Sequence, residues 1–272
     1  MTRKFFIMIV AVLMMFACAG CGEQSSNNIN TKPIGKDKLV VGLDEYFLPF
    51  GFRDESGEIV GFDVDLAKET MKRLGYEVEF KPIEWANKEN ELNSGNIDMI
   101  WNGLEVTDER QKNMLFTRPY MSSGQIVFVY HSNQYSLITD KSKLAGMSVG
   151  IQGDSTSEAA LDLDNELKFT LKEIKIYSDT AAAFNDLTKR MVDAVIADEI
   201  NGRYYIFKNG LENKIDALSI SISDKGDIAV GFRKNDIRLR DEVQKTFDSM
   251  VADGTAKRIS KKWFGKDLIL DK

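Results

Sequence analysis

The stretch FDVDLAKETMKRLGYEVEF, residues 62–80, decides the fold class of this chain. Its first part places apolar residues at helical spacing, namely Val64, Leu66, Ala67, Met71 and Leu74. Gly75 follows as a helix stop, and residues 76–80 alternate as a strand does. The apolar run LVVGL at 39–43 reads as a buried strand upstream of this helix. A strand, a helix and a second strand in this order favour an α/β architecture.

The same alternation continues to the end of the chain. Further strands are predicted at 97–101, 148–152, 173–177, 193–197 and 227–236, and further helices at 157–163, 179–191, 237–254 and 256–265. Strands alternating with helices of this length are typical of a parallel sheet covered by helices.

The composition is that of an ordinary globular protein. The chain has 272 residues, 43% of them hydrophobic and 29% charged, with a formal net charge of −6. No basic stripe interrupts this balance, so nucleic acid is not an expected partner.

The N-terminal segment reads as a targeting signal. Arg3 and Lys4 precede an apolar run at 5–16 that is short for a membrane span, and small residues then lead to Cys21. This order resembles the lipobox of bacterial lipoproteins, which implies lipidation of Cys21 and an extracytoplasmic location at the membrane. A plain signal peptide or an uncleaved anchor is the alternative. The polar residues 22–37 are predicted to form a flexible tether.

The rest of the chain carries few marks of catalysis. It has no cysteine after Cys21 and a single histidine, His131, so common zinc sites are not expected. The G-x-S-x-G, P-loop and G-x-G-x-x-G motifs are also missing from the sequence, and we expect no cofactor and no metal.

Five motifs in register resemble the solute-binding proteins for polar amino acids that serve bacterial ABC importers. They are the stretch 41–80, WNGLEVTDER with FTRPY (101–120), GIQGDSTSEAAL (150–161), VIADE (195–199) and KKWFG (261–265). The resemblance implies a two-lobe type II periplasmic-binding-protein fold, in which the chain crosses the hinge twice.

The implied domain organisation follows from this resemblance. Residues 1–21 form the signal peptide and 22–37 the tether, lobe one comprises 38–123 and 228–272, and lobe two comprises 128–222. The implied partners are a free amino acid and the membrane subunits of an ABC transporter, and the protein is expected to be a monomer.

A zwitterionic ligand needs an anion seat, and Arg110 is the first candidate. It lies one turn into a predicted helix, where a cation opposes the helix dipole, so an anion should compensate for it. The family resemblance implies that Arg110 binds the α-carboxylate through its bidentate fork. The alternative is a structural salt bridge to Asp108, Glu109 or another residue of the same lobe.

The segment QGDSTSE, residues 152–158, offers a second part of the anion seat. Ser155 or Thr156 can cap the helix that begins there, and its free N–H groups attract an anion. The resemblance implies that a hydroxyl and backbone amides bind the same carboxylate, and which of the two residues does so stays open.

For the α-ammonium, the resemblance implies Asp198, at the carboxyl end of a predicted strand. The alternative for Asp198 is a helix N-cap. Glu105 is either a second ammonium partner or a contact to the ligand side chain. Gly103 contributes its carbonyl and Asn102 lies at the wall.

Aromatic residues complete the implied pocket. Phe47 and Trp85 sandwich the ligand side chain, whereas Phe50 and Phe52 are assigned to the core, although periodicity alone would place all of them there. Asp44 corresponds to a position that contacts basic side chains in some relatives.

The sequence therefore predicts a receptor that delivers a polar amino acid, basic ones included, to an ABC importer by lobe closure, and not an enzyme. The alternative is a cyclohexadienyl dehydratase-like enzyme on the same fold, with Glu105 or Glu84 as the acid. The sensor domain of a signalling protein is a third, weaker hypothesis.

The lipobox makes Cys21 testable. Labelled fatty acid should enter the wild-type protein in cells and be lost in Cys21→Ala, which should be shed to the medium. Retention of the label in Cys21→Ala would contradict the lipidation.

Overall fold

The computed structural model describes residues 36–132, 135 and 138–270. The predicted signal segment with Cys21 and almost all of the predicted tether lie outside these residues. Within the described part, no helix is long and apolar enough to cross a membrane.

The strands are short and spread over the whole chain. In chain order they are β1 (Lys38–Leu43), β2 (Tyr46–Phe47), β3 (Gly51–Arg53), β4 (Ile59–Val60), β5 (Glu77–Pro82), β6 (Met99–Ile100), β7 (Met114–Phe116), β8 (Met121–Ser123), β9 (Gln125–Tyr130), β10 (Ser148–Gln152), β11 (Glu173–Tyr177), β12 (Ala194–Asp198), β13 (Ile215–Ser221), β14 (Gly226–Ile228) and β15 (Gly231–Arg233).

Ten of these strands form two five-stranded sheets, each the centre of one lobe. The others form a three-stranded sheet, β2-β3-β4, and the pair β14-β8. The first five-stranded sheet has the order β5-β1-β6-β15-β7 and the second the order β11-β10-β12-β9-β13. In each sheet the first three strands in this order are parallel, as predicted.

The remaining strands differ from the parallel expectation. β15 runs antiparallel to β6 and β7, and β9 runs antiparallel to β12 and β13. Both β9 and β15 follow short strands, β8 and β14, without a helix between. Without a helical crossover a strand does not re-enter its sheet in the parallel sense, so the mixed topology follows.

Nine helices of the described residues cover the sheets. They are α1 (Phe62–Leu74), α2 (Lys88–Asn93), α3 (Asp108–Asn113), α4 (Thr156–Leu163), α5 (Asn165–Thr170), α6 (Thr180–Thr188), α7 (Glu199–Lys208), α8 (Ile237–Ala252) and α9 (Thr255–Phe264). Two 3₁₀ turns lie at Trp85–Asn87 and Lys141–Leu144.

Helix α1 shows how local sequence sets these elements. Its apolar stripe faces the core, where Val64, Leu66 and Met71 are fully buried. Gly75 ends it in the left-handed conformation at φ 76°, with its N–H bonded to the carbonyl of Lys72. Phe50 and Phe52 lie in the core of the same lobe, as expected.

The two lobes are joined where β8 and β14 pair as an antiparallel two-stranded sheet. Gly226 pairs with Ser123 and Ile228 with Met121 in this sheet. These strands lie at the two predicted hinge crossings, so the cleft between the lobes opens directly beside them.

Candidate functional site

A cavity lies between the two lobes. It is lined by Phe47, Trp85, Asn102, Gly103, Glu105, Arg110, Gln125, Gln152, Ser155, Thr156, Ser157, Thr180, Ile196, Ala197 and Asp198. Every predicted ligand residue except Asp44 belongs to this lining.

Arg110 provides the positive charge of the cavity. Its backbone N–H donates to the Thr107 hydroxyl at 3.2 Å, which makes Thr107 the cap of α3. The guanidinium donates to the carbonyl of Glu105 at 2.9 Å and, across the cleft, to the carbonyl of Asp154 at 3.2 Å. Burial lowers the pKa of Arg110, whose exposed fraction is 7%.

Arg110 forms no salt bridge with any carboxylate among residues 36–132, 135 and 138–270. The alternative pairing with Asp108 or Glu109 is therefore not the arrangement seen. The charges of Asp154, Glu105, Glu89 and Glu109 act on Arg110 from a distance, but burial outweighs them and lowers its pKa. A buried guanidinium that donates only to carbonyls can still bind an anion directly.

The N-terminus of α4 faces the same cavity from lobe two. Ser155 is its cap, because its hydroxyl accepts from the Glu158 N–H at 3.3 Å and donates to the Gln152 carbonyl at 2.7 Å. The Thr156 hydroxyl instead accepts from the Gln125 side chain at 3.0 Å. The two hydroxyls, left equivalent by the sequence, thus have different environments.

Two carboxylates lie on the cavity wall. Asp198 caps α7 by accepting from the Asn201 N–H at 2.9 Å, so the alternative reading as a cap is correct, yet Asp198 also lines the cavity. Burial raises its pKa to about 6. Burial also raises the pKa of Glu105, and the charge of Asp198 adds to this effect. A cationic group between them would favour both ionised forms.

The aromatic side of the cavity depends on a glycine that leaves room for a phenylalanine ring. Phe47 stacks on Phe50 with ring centroids 5.3 Å apart and an interplanar angle of 18°. Gly103 has φ 59°, and a Cβ there would lie 2.7 Å from the Phe47 ring, so both the conformation and the space require glycine. Trp85 is largely buried on lobe one and reaches the cavity.

Asp44 lies behind the lining rather than in it. Its carboxylate accepts from the Tyr46 N–H at 2.9 Å and from the Gln152 side chain of lobe two at 2.8 Å. Its own N–H donates to the Asn102 side-chain oxygen at 3.0 Å. Burial raises the pKa of Asp44 to about 6. In this arrangement Asp44 acts on the cavity through Gln152.

Several lining residues are missing from the sequence prediction. Gln125, the first residue of β9, accepts from the Ser157 hydroxyl at 2.6 Å and donates to Glu105 at 3.3 Å. Thr180 donates to the side-chain oxygen of Gln152 at 3.2 Å. The one available signal was the position of Gln125 within the first predicted crossing, next to the cleft.

Asp63 does not line the cavity, but it is hydrogen-bonded to Gly103 of the lining. It is fully buried, and it accepts from the Gly103 N–H at 2.6 Å and from the Tyr120 hydroxyl at 2.8 Å. The carboxylate therefore joins the cavity wall to the residues before the first crossing. Burial raises its pKa to about 7.

Comparisons with known proteins agree with this geometry. Residues 39–266 match the model of the family described as bacterial extracellular solute-binding proteins, family 3. The arginine-binding extracellular protein ArtP of Bacillus subtilis is 29% identical over 263 residues, covering 96% of this chain and 98% of ArtP. The histidine-binding periplasmic protein of Salmonella typhimurium is 30% identical, covering 85% and 89%.

Solved structures give the same picture. An ABC uptake transporter substrate-binding protein from Streptococcus pneumoniae with bound histidine superposes with a TM-score of 0.82. It is 33% identical, and the match covers 86% of this chain and 95% of that one.

The pKa of Asp63 predicts how stability depends on pH. The native state keeps this proton up to about pH 7, whereas the unfolded chain releases it near pH 4. Between these values the native state binds more protons, so the free energy of unfolding falls as pH rises, by up to about 4 kcal/mol from this group.

Urea unfolding of the ligand-free protein at pH 4.5, 6.0 and 7.5 measures this dependence. Asp63→Asn should reduce this dependence, because the amide does not titrate and still accepts from the Gly103 N–H, whereas Asp44 and Asp198 keep their contributions. The exposed Asp108→Asn is the control and should keep the parent's slope. Equal slopes for the parent and Asp63→Asn would contradict the assignment.

Proposed function

The chain belongs to the bacterial extracellular solute-binding proteins, family 3, and we propose that it is an extracytoplasmic receptor that delivers a polar amino acid to an ABC importer. The observation that carries this proposal is the pairing of charges in one cavity. Arg110 and the N-terminus of α4 offer an anion seat, and Asp198 and Glu105 offer a cation seat. An α-amino acid carries one group for each.

The α-carboxylate binds at Arg110. The guanidinium fork suits a carboxylate, and its buried position removes competition from water. The backbone N–H groups beside Ser155 and Thr156 approach the same anion from lobe two. Because the two halves of the seat belong to different lobes, the carboxylate favours their closure.

The α-ammonium binds at Asp198, with Glu105 and the Gly103 carbonyl as further acceptors. Binding of a cation lowers the raised pKa values of both carboxylates. Asn102 forms the adjacent wall, and Phe47 and Trp85 enclose the side chain of the ligand.

A basic side chain is the favoured ligand chemistry. The cavity lining contains two carboxylates, Glu105 and Asp198, but only one cation, Arg110. Asp44 adds a third carboxylate behind Gln152. A ligand with a net positive charge neutralises this excess of negative charge. The names of the arginine- and histidine-binding relatives agree with this preference.

Transport follows from closure of the lobes on the ligand. Lobe one comprises residues 38–123 and 228–272, lobe two residues 128–222, and the β8–β14 pair lies at the two crossings. The monomer is held at the membrane by a lipid on Cys21, with residues 22–37 as its tether.

The relatives are named as binding proteins rather than enzymes, and the protein is accordingly a receptor and not a cyclohexadienyl dehydratase-like enzyme.

A thermal-shift screen of the twenty amino acids against the purified full-length chain tests the function. The true ligand at 100 times its dissociation constant should add about 2.7 kcal/mol to the free energy of unfolding. We expect arginine, lysine or histidine to give a larger shift than glutamine. No shift with any amino acid would refute the proposal.

Arg110 provides the sharpest test of the anion seat. Arg110→Ala should weaken affinity about 30-fold or more, because truncating one partner of a buried charge pair costs about 2–5 kcal/mol. Arg110→Lys should not restore it, since a point charge cannot form the bidentate fork.

Calorimetric titration with the best amino acid and with its amide separates this role from a structural one. The parent should reject the amide, whereas Arg110→Ala should bind acid and amide equally poorly. If Arg110→Ala prefers the free carboxylate as strongly as the parent does, Arg110 does not bind it.

A further inference from the structure

Lys88, the first residue of α2, is a lysine in an unusual position. Its side chain is 1% exposed, and it is the only fully buried lysine of the described residues. A buried ammonium is costly unless charged or polar groups surround it closely. The groups that contact the Lys88 ammonium therefore indicate the role of this buried charge.

Most of its partners belong to the other lobe. The ammonium donates to the Trp85 carbonyl of lobe one at 3.3 Å, but it also donates to the Asp154 carbonyl of lobe two at 3.0 Å and forms an ion pair with the Asp154 carboxylate. When the lobes separate, Lys88 keeps only the Trp85 carbonyl among these partners.

Asp154 is held in a conformation that suits this contact. It has φ 52°, in the left-handed region that few non-glycine residues adopt, and its N–H donates to the Glu158 carboxylate at 2.6 Å. Its carbonyl accepts from both Lys88 and Arg110. Two cations of lobe one thus meet a single carbonyl of lobe two, directly before the N-terminus of α4.

We propose that Lys88 and Asp154 form a latch that stabilises the closed arrangement of the lobes independently of ligand. Lys88 is a positioning residue that does not line the cavity. This proposal depends on the proposed function in one respect, namely that closure of the lobes serves to capture the ligand. The latch provides a closed population before binding, so the ligand shifts an existing equilibrium.

The consequences for affinity follow from the same equilibrium. A ligand that binds the closed form has an apparent affinity proportional to the closed fraction. Loss of the latch therefore weakens the affinity for every ligand by the same factor. Loss of Arg110 instead weakens the affinity selectively for ligands with a free carboxylate.

Lobe closure can be measured without any ligand. The chain has no cysteine after Cys21, so spin labels can be placed at Lys112→Cys and Asp162→Cys, on exposed positions of the two lobes, in full-length chain carrying Cys18→Ala and Cys21→Ala. Pulsed electron paramagnetic resonance then gives the ratio of closed to open molecules from the distance distribution.

The variants Lys88→Met, Asp154→Asn and the double variant complete a cycle. Methionine keeps the length of the lysine stem, and asparagine tolerates the left-handed conformation. Lys88→Met should lower the closed-to-open ratio about tenfold, because it removes both the ion pair and the hydrogen bond to the Asp154 carbonyl. Asp154→Asn should lower the ratio less, since it removes only the ion pair, and the double variant should lower it no further than Lys88→Met does. Lys81→Met is the matched control, because Lys81 pairs with Glu91 inside lobe one, and it should leave the ratio unchanged.

A structural role of Lys88 would give a different result. Urea unfolding should show that Lys88→Met is as stable as the parent or more so, since a buried charge is removed. A parent without a closed population, additive effects of the two substitutions, or an unchanged ratio would each overturn the latch. Failure of every amino acid to raise the closed-to-open ratio of both the parent and Lys88→Met would instead refute the proposed function and leave the result for the latch intact.

Discussion

The Arg110 guanidinium is almost fully buried and is held by two backbone carbonyls, without a carboxylate partner in the described chain. Neutral carbonyls orient a guanidinium but cancel little of its charge. One of them, at Asp154, belongs to the opposite lobe, so the position of this cation depends on closure. The anion that Arg110 requires is therefore best bound when the lobes are together, which links ligand binding to the movement of the lobes.

The cavity is coupled to the hinge by close packing at Glu105. A Cβ at Gly226, in the second crossing, would lie 1.8 Å from a carboxylate oxygen of Glu105. The backbone of Glu105 also bridges to Ile228, and its side chain accepts from Gln125 in the first crossing. The Glu105 carboxylate is thus in direct contact with both crossings, by close packing at Gly226 and by a hydrogen bond at Gln125.

Buried carboxylates show the cost of such a site. Burial raises the pKa of Asp44 and Asp198 to about 6 and that of Asp63 to about 7, so each is unfavourable when ionised in the ligand-free protein. Their hydrogen bonds hold Gln152, α7 and Gly103 in place for the ligand. The cost of burying these carboxylates is thus accompanied by hydrogen bonds that fix the cavity wall.

The sequence by itself determined the elements and most of the cleft. Helical spacing and Gly75 predict α1, and a cap at Ser155 or Thr156 predicts the start of α4, because these signals act over a few residues. Motifs in register with a known family then placed Arg110 and Asp198 on the same cavity.

Only the tertiary structure decided the contacts between the lobes. Gln125 and Thr180 line the cavity, whereas Asp44 lies behind Gln152. The periodicity of the sequence predicts none of these positions. Lys88 meets Asp154 from 66 residues away. Such pairs form because the chain crosses the hinge twice and folds one lobe onto the other, and a local pattern contains no information on which side chains then face each other.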